Sequence, residues 1–408
     1  MTKLGLGFIA ASGLIYLVAN QSQIGWLYLL DAILWSLLVV SAILPWWSLK
    51  LLKVEQLVSW QPLTLNQPSL NGPVEDDAIE LKLKVTNNGR LPRHFIKVQG
   101  EFPFAFLPEQ RRAFLLPYLR AKSTVVCSCP VTCYRRGFYP SVQITLQSGG
   151  WLGLVVRRRT FRIPLKLTVY PAYHLMKGIP AGETAWNDWG QAAKSNAAAE
   201  FYGSREYRYG DPLKYIHWRN TARAGHFMLK EFEQAGGTSL TVAFETKNDF
   251  GMGRETTLEY SVRIAASLAK LCADAGRTMN LIAGETVLRY AGWPEIMGYL
   301  ARVEAGTATR WNELAPVQPG MTVVIVPAVK DALATVLSRL AGAHDHVVVY
   351  LDGFAPDAPV ATSPTPISNS NVRSIRCSPG NLEKTIEELS SALLTSSVSP
   401  SSGRNADY

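Results

Sequence analysis

The sequence predicts three structural units: two membrane-spanning helices, an all-β sandwich and a doubly wound α/β domain. Three patterns along the 408 residues predict this order. Two long apolar runs stand at the N-terminus, short alternating segments follow them, and buried-strand segments then alternate with helical ones. Hydrophobic residues make up 47% of the chain, which excludes a largely disordered protein, and five cysteines exclude a disulfide-dense scaffold.

The first element is a pair of apolar runs, at residues 4–19 and 24–47, joined by a short polar turn. A membrane-spanning helix needs about 20 mostly apolar residues, which the second run supplies and the first nearly supplies. A cleaved signal peptide is an alternative for the first run, but no clean cleavage site follows it. We therefore expect a transmembrane hairpin within residues 1–53, in preference to a signal peptide or a buried globular hairpin.

The charges that flank these runs predict their orientation. Lys3 precedes the first run, Lys50 and Lys53 follow the second, and the turn between them has no charge. Cations stay on the cytoplasmic side, so a multi-pass protein of the inner (plasma) membrane with both termini in the cytoplasm is expected. Asp31 lies inside the second run. We expect it to lean toward the water, although an intramembrane carboxylate is also a functional candidate.

Residues 54–171 carry the pattern of a β domain. Residues 79–85 alternate apolar and charged side chains, and turn residues follow from Asn87. Further strands are expected at residues 95–98, 123–131, 142–146 and 165–170. Several short strands with Gly and Pro signals between them favour an immunoglobulin-like sandwich.

Three cysteines lie close together in this region, namely Cys127, Cys129 and Cys133. The first two are two residues apart on an expected strand, and no second ligand cluster accompanies them. This arrangement is typical of structural thiols rather than of a zinc site. We expect no cofactor.

The last folded part, residues 238–394, alternates strands with helices. Short apolar runs of the kind found in buried parallel strands occur at residues 239–244, 279–283, 322–326 and 347–351. Helices are expected at residues 256–276, 327–340 and 381–394. An irregular loop is expected over residues 355–379, and a disordered tail over residues 395–408.

A segment dense in charges lies in the linker between the two domains, residues 172–237. Asp211 and Pro212 predict the start of a helix, Gly225 predicts its end, and residues 226–232 are typical of a strand. The charges alternate in sign. Structural salt bridges are therefore the first interpretation of this segment, and a binding surface is the second.

Eleven residues of this segment form a candidate interaction surface, namely Arg205, Glu206, Tyr207, Gly210, Asp211, Ile216, Trp218, Arg223, Lys230, Glu231 and Phe232. In these residues the segment resembles the signature of the bacterial family called domain of unknown function 58. The order of units is also similar to that family, which places a domain similar to von Willebrand factor type A after the signature. The resemblance implies a MoxR-type AAA-plus ATPase as partner.

Von Willebrand-type domains that bind metal supply a carboxylate and two hydroxyl oxygens after their first strand. The corresponding residues here are Glu245, Lys247 and Asp249. The ammonium group of Lys247 stands where a hydroxyl ligand belongs, and it only donates hydrogen bonds. The sequence therefore predicts a degenerate site that binds no metal.

Together these observations favour a membrane-anchored, cytoplasm-facing scaffold or adaptor that is not an enzyme. A hydrolase that uses Ser204, Asp211 and His217 of the signature segment is one alternative, but no nucleophile motif or phosphate loop accompanies them. Binding of anionic membrane lipids is another, because the net charge is +9 and arginines cluster at residues 111–112, 135–136 and 157–159. No nucleic-acid motif is present, so nucleic acid is not an expected partner.

Overall fold

A computed structural model describes residues 2–62, 70–149, 153–176, 201–206, 221–223, 225, 227–232, 240–314, 321–328, 346–354 and 372–395. The chain divides into two compact units, Met1–Pro171 and Ala172–Tyr408. The structure confirms two apolar N-terminal helices and a body rich in β-sheet, with a mixed sheet in the second unit.

Two helices open the first unit as a hairpin, α1 (Lys3–Ser22) and α2 (Gly25–Lys50). The Thr2 hydroxyl caps α1 by accepting a hydrogen bond from Gly5 N at 3.1 Å. Both helices are long and apolar enough to cross a membrane, and most of their large side chains are exposed. The first predicted run lies inside α1, and the second lies inside α2 except for Ile24, which immediately precedes the helix.

The carboxylate of Asp31 lies inside this hairpin, so the expectation that it leans toward the water is wrong. Ser12 Oγ donates a hydrogen bond to Asp31 Oδ1 at 2.5 Å, and both side chains are buried. The sequence hides this contact because Ser12 is one small polar residue in an apolar run. Hydrogen bonds of this kind join neighbouring helices in membranes.

Seven strands of the first unit form two antiparallel sheets. They are β1 (Leu52–Pro62), β2 (Ala78–Asn87), β3 (Arg93–Glu101), β4 (Arg111–Leu119), β5 (Thr124–Thr132), β6 (Gly137–Ser148) and β7 (Arg157–Val169). One sheet has the order β1-β2-β5 and the other β4-β3-β6-β7. Alternate side chains of both sheets point inward and share one apolar core.

The sequence predicts five of these strands and misses β1 and β4. The alternating pattern of residues 79–85 is confirmed in β2, where every second residue is buried. Strand β4 begins with Arg111 and Arg112, which in the sequence have the pattern of a cationic cluster rather than of a strand. Strand β1 follows α2 after the single residue Leu51, so no turn signal marks its beginning.

The helix α2 ends directly on the sandwich. Arg159 on β7 donates from Nη1 to the carbonyl oxygens of Leu49 at 3.1 Å and Lys50 at 3.3 Å. The last carbonyls of a helix have no partner within the helix, and they form the negative end of its dipole. The guanidinium group therefore satisfies these oxygens and places a positive charge where the dipole favours it.

The beginning of α1 contacts the loop between β6 and β7. Thr2 N donates to Leu154 O at 3.1 Å, and the Thr2 hydroxyl lies 2.9 Å from both Gly153 O and Leu154 O. A Cβ atom at Gly5 would overlap Leu154 O. Both ends of the hairpin are thus fastened to the same end of the sandwich.

The first strands described in the second unit form an antiparallel pair, β8 (Phe201–Glu206) and β9 (Met228–Phe232). A six-stranded mixed sheet follows, and its first strand β10 (Leu240–Phe244) lies in the middle. The short pair β11 (Gly251–Met252) and β12 (Glu255–Thr256) leads into helix α3 (Thr257–Asp274).

The remaining strands of the mixed sheet are accompanied along the chain by two further helices. These strands and helices are, in chain order, β13 (Met279–Ala283), β14 (Thr286–Ala291), α4 (Trp293–Leu300), β15 (Thr322–Pro327), β16 (His346–Leu351), β17 (Val372–Cys377) and α5 (Leu382–Thr395). The spatial order of the strands is β14-β13-β10-β15-β16-β17. Five strands are parallel, and β14 is an antiparallel edge strand.

The four predicted apolar strands are confirmed as β10, β13, β15 and β16, and two predicted helices as α3 and α5. The irregular loop expected over residues 355–379 is wrong for residues 372–377, which form β17. This edge strand combines exposed Arg373 and Arg376 with buried Ile375 and Cys377, so it lacks a continuous apolar run. The predicted helix beyond residue 328 and the predicted tail beyond residue 395 lie outside the described residues.

We expect Gly5→Ala to weaken the contact between α1 and the sandwich, because the new methyl group must displace the backbone at Leu154. Overpacking of this kind costs about 1–3 kcal/mol. Gly7→Ala is the matched control, since a Cβ atom there meets nothing within 4 Å. Thermal unfolding of the full chain in detergent measures the difference. Equal stability of the two variants would contradict the described contact.

Candidate functional site

The signature segment forms a two-stranded ribbon in the part of it that the structure describes. Strands β8 and β9 pair through their backbones, with Ser204 opposite Lys230 and Arg205 opposite Leu229. The strand predicted at residues 226–232 is therefore confirmed as β9. A β-bulge or irregularity shifts the register between Phe201 and Gly203.

A helical turn at residues 221–223 precedes β9. Gly225 N donates to Thr221 O at 3.0 Å, and Gly225 has a φ of +74°, a conformation that favours glycine. The predicted helix end at Gly225 is thus confirmed. Met228 N donates to Thr221 Oγ1 at 3.0 Å, which joins the turn to the beginning of β9.

The structure brings only part of the candidate interaction surface together. Five candidate residues lie on the ribbon. They are Arg205 and Glu206 on β8, and Lys230, Glu231 and Phe232 on β9. Arg223 is exposed on the helical turn. The predicted residues Tyr207, Gly210, Asp211, Ile216 and Trp218 lie outside the described residues, as does His217 of the enzyme hypothesis. The interaction surface and the hydrolase alternative both remain predictions.

The three residues of the degenerate metal motif follow β10 at the carboxyl end of the mixed sheet. Glu245 is buried, and its Oε1 accepts a hydrogen bond from Lys247 N at 2.9 Å. Asp249 Oδ1 accepts from Leu258 N at 3.0 Å and lies 3.2 Å from Thr257 Oγ1, so it stabilises the beginning of α3. Each carboxylate thus has a partner other than a metal.

Thr246 organises the backbone between these residues. Its amide donates to Thr309 Oγ1 at 3.2 Å, its hydroxyl donates to Thr307 O at 2.8 Å, and its carbonyl accepts from Gly306 N at 2.8 Å. Residues 306–309 therefore pack against the end of β10. Among the residues that the structure describes, no three His, Cys, Asp or Glu side chains form a group suited to a metal. The absence of metal binding stays a prediction.

The cysteines of the sandwich are buried thiols. Cys127 and Cys129 lie on β5 opposite Leu83 and Leu81, and both face the core, as their spacing predicts. Burial raises the pKa of Cys129 to about 11 and also raises the pKa values of Cys127 and Cys133. Such thiols stay protonated at neutral pH, which makes them poor nucleophiles.

The arginine clusters of the sandwich lie at opposite ends. Residues 157–159 begin β7, beside the helix ends. Arg111 and Arg112 lie at the far end, where they contact Glu101 at 3.4 Å and Glu109 at 2.6 Å.

Arginines 135 and 136 also lie at the far end, and Arg136 N donates to Glu75 Oε1 at 3.2 Å. Only one of the three clusters thus stands next to the apolar hairpin.

The fold and the ribbon define a protein with an apolar hairpin, a β-sandwich and a mixed-sheet unit. Residues 203–292 match the model of a family described as Protein of unknown function DUF58, and they span the ribbon from Gly203 through β14. The resemblance to that family is therefore confirmed over these residues.

A search of curated proteins found no match. Among solved structures, one similar chain is Spo0M, a sporulation control protein from Bacillus subtilis, with 12% identity and a TM-score of 0.16 over 39% of this chain and 59% of that one. A second is the GH20 exo-β-N-acetylglucosaminidase from Vibrio harveyi, with 9% identity and a TM-score of 0.19 over 74% of this chain and 57% of that one.

An inactive mutant of the same Vibrio harveyi enzyme is similar at 9% identity and a TM-score of 0.21, over 85% of this chain and 94% of that one. This chain spans less than two thirds of the first two matched structures. At such TM-scores, none of these likenesses carries an argument about fold or function.

Asp249→Ala should destabilise the second unit, because Leu258 N at the beginning of α3 loses its acceptor. The loss of a helix-capping oxygen costs about 1 kcal/mol. The exposed Lys247→Ala is the control and should change the free energy of unfolding by less than about 0.5 kcal/mol. Urea unfolding with and without Mg²⁺ measures both effects. Equal stability of Asp249→Ala and Lys247→Ala would contradict the structural role, and a stabilisation by Mg²⁺ that Asp249→Ala abolishes would contradict the predicted absence of metal binding.

Alkylation of Cys129 should be slow in the native chain. With its pKa raised from 9.0 to about 11, the thiolate fraction at pH 8 falls about 100-fold relative to the unfolded chain. Because the folded pKa is the higher one, this thiol also favours folding below pH 9, and that contribution is lost as the pH rises toward 11. Mass spectrometry after iodoacetamide treatment, with and without urea, measures the difference. Rapid native labelling would refute the buried position.

Proposed function

We propose that this chain is a membrane-anchored, non-enzymatic scaffold that presents its second unit to a partner protein on the cytoplasmic side. The observation that carries the proposal is the fastening of both hairpin ends to one end of the sandwich. Lys3, at the beginning of α1, and Lys50, at the end of α2, therefore both lie at the end of the hairpin that contacts the sandwich. Cations favour the cytoplasmic side, which supports a multi-pass topology with both termini in the cytoplasm.

The topologies support the finer fold assignments that we propose. The sandwich pairs its first, second and fifth strands in one sheet, and the remaining four in the other. Two antiparallel sheets with such crossing connections are typical of immunoglobulin-like domains. Counted from β10, the mixed sheet has the order 3-2-1-4-5-6, which is that of doubly wound domains, and its antiparallel edge strand is compatible with a von Willebrand factor type A-like domain.

A MoxR-type AAA-plus ATPase is the partner that we propose, on the basis of the family resemblance. The signature ribbon is the first candidate for the contact, because β8 and β9 bring Arg205 and Lys230 into one two-stranded element and Arg223 is exposed beside it. The roles of Glu245 and Asp249 in local backbone structure, and the raised pKa of the Cys129 thiol, support a protein without chemistry of its own.

We expect crosslinking of the full chain in native membranes to capture an ATPase of this class. The variant Arg223→Glu should reduce the capture at least tenfold, because it reverses an exposed charge beside the ribbon. The matched control is Arg111→Glu, which changes an exposed arginine at the far end of the sandwich. Mass spectrometry of the crosslinked products, with wild-type chain in parallel, measures the yield.

Three results would count against this function. Equal capture by wild type and Arg223→Glu would remove the ribbon as the contact. A C-terminal tag that a protease cleaves from outside intact cells would overturn the orientation. Turnover of a compound that requires Asp211 or His217 would instead favour the hydrolase alternative.

A further inference from the structure

The end of the sandwich that contacts the hairpin has an unusual charge. We call it the helix-proximal end and define it as residues 88–93, 119–123 and 153–158, together with the adjoining Lys50. Its cations are Lys50, Arg90, Arg93, Arg120, Lys122, Arg157 and Arg158, and it contains no aspartate or glutamate. These cations come from segments far apart in the sequence, and only Arg157 and Arg158 belong to a visible cluster. The fold assembles the others.

Asn87 holds two of these segments together. Its side chain is buried, and Nδ2 donates to Leu91 O at 2.9 Å and to Arg120 O at 3.0 Å. Lys122 N donates to Gly89 O at 3.2 Å, which links the same two segments a second time. The turn after β2 and the turn after β4 are therefore joined through their backbones, so the cations that they carry are presented together before any ligand binds.

Tryptophans mark the level at which these cations stand. Lys50 Nζ lies 4.8 Å from the ring centre of Trp46, and Arg157 lies 6.0 Å from the same ring. Arg93 lies 5.8 Å from the ring of Trp47. Trp46 and Trp47 are 44% and 46% exposed at the end of an apolar helix. Tryptophan at that position is typical of the boundary between hydrocarbon and headgroups.

Most of the cations at this end are available for a ligand. Arg93 is buried, and the neighbouring Arg159 is occupied by the carbonyls of α2. The remaining six are exposed, and within the part of the chain that the structure describes none of them forms an ion pair with a carboxylate: they are Lys50, Arg90, Arg120, Lys122, Arg157 and Arg158.

We propose that the helix-proximal end binds the phosphate headgroups of anionic phospholipids. The proposal rests on the membrane anchoring of the proposed function, and it is independent of the ATPase partner. The cations surround the helix ends on separate turns and do not line one pocket. Such a distribution fits many phosphates in one plane better than a single soluble anion, and the adjacent tryptophans place that plane at the headgroups.

The test uses the full chain in a nonionic detergent, titrated with phosphatidylglycerol or with phosphatidylcholine. Native mass spectrometry measures the bound lipid. The variant Lys122→Gln/Arg157→Gln/Arg158→Gln should bind phosphatidylglycerol on the order of a hundredfold more weakly, since each cation near an anionic surface contributes roughly fivefold in affinity. Binding of phosphatidylcholine should not change.

The matched control is Arg111→Gln/Arg135→Gln/Arg162→Gln, which removes three exposed cations away from the helix-proximal end. It should retain the affinity for phosphatidylglycerol. Higher salt should weaken the binding by wild type, because salt screens exposed charges. Thermal unfolding without added lipid should be the same for both triple variants, which excludes misfolding as the cause of lost binding.

Three outcomes would overturn the proposal: equal affinity for the two lipids, undiminished binding by the first triple variant, or competition by inorganic phosphate at the same concentration as phosphatidylglycerol. The last would identify a free-phosphate site. Carbonate extraction of native membranes tests the anchoring separately. If the chain resists extraction but shows no lipid preference, the inference fails and the proposed anchoring stands. If carbonate releases the chain, the anchoring fails and the inference fails with it.

Discussion

Arg159 satisfies the carbonyl groups with which α2 ends, and this contact fixes how the first unit is built. The last carbonyls of a helix must find donors outside the helix, and here the donor belongs to a strand more than one hundred residues further along the chain. Because β7 therefore begins at the helix end, β6 must end there and the loop between them meets Thr2. The directions of β3 and β4 follow in turn, because each strand of this sheet pairs antiparallel with its neighbour.

These strand directions also decide which turns share an end and hence how charge is distributed. Turns that follow β2, β4 and β6 lie beside the hairpin and carry cations without carboxylates. The opposite end combines Arg111 and Arg112 with Glu101 and Glu109. A formal charge of +9 for the chain therefore understates the local field. Composition describes the sum of the charges, whereas topology decides which of them act together.

The sequence predicts elements best where one pattern dominates the local environment. Strand β2 alternates because one face is buried. Strands β10, β13, β15 and β16 are mostly apolar and are buried almost along their whole length, because a parallel sheet is covered on both faces. Strand β17 escapes prediction because an edge position tolerates arginine. Asp31 escapes it because its partner, Ser12, is defined by the packing of two helices. The cations beside the hairpin are likewise united only by the fold.

The junction between α2 and β1 consists of Leu51 alone. One residue spans at most about 3.6 Å, so the chain has no slack at this point. The sandwich cannot swing away as a tethered domain would, because any lift requires the last turn of the helix to unwind or the first strand to detach. A tilt or rotation of the hairpin is therefore transmitted directly to the sandwich, so that the two turn together.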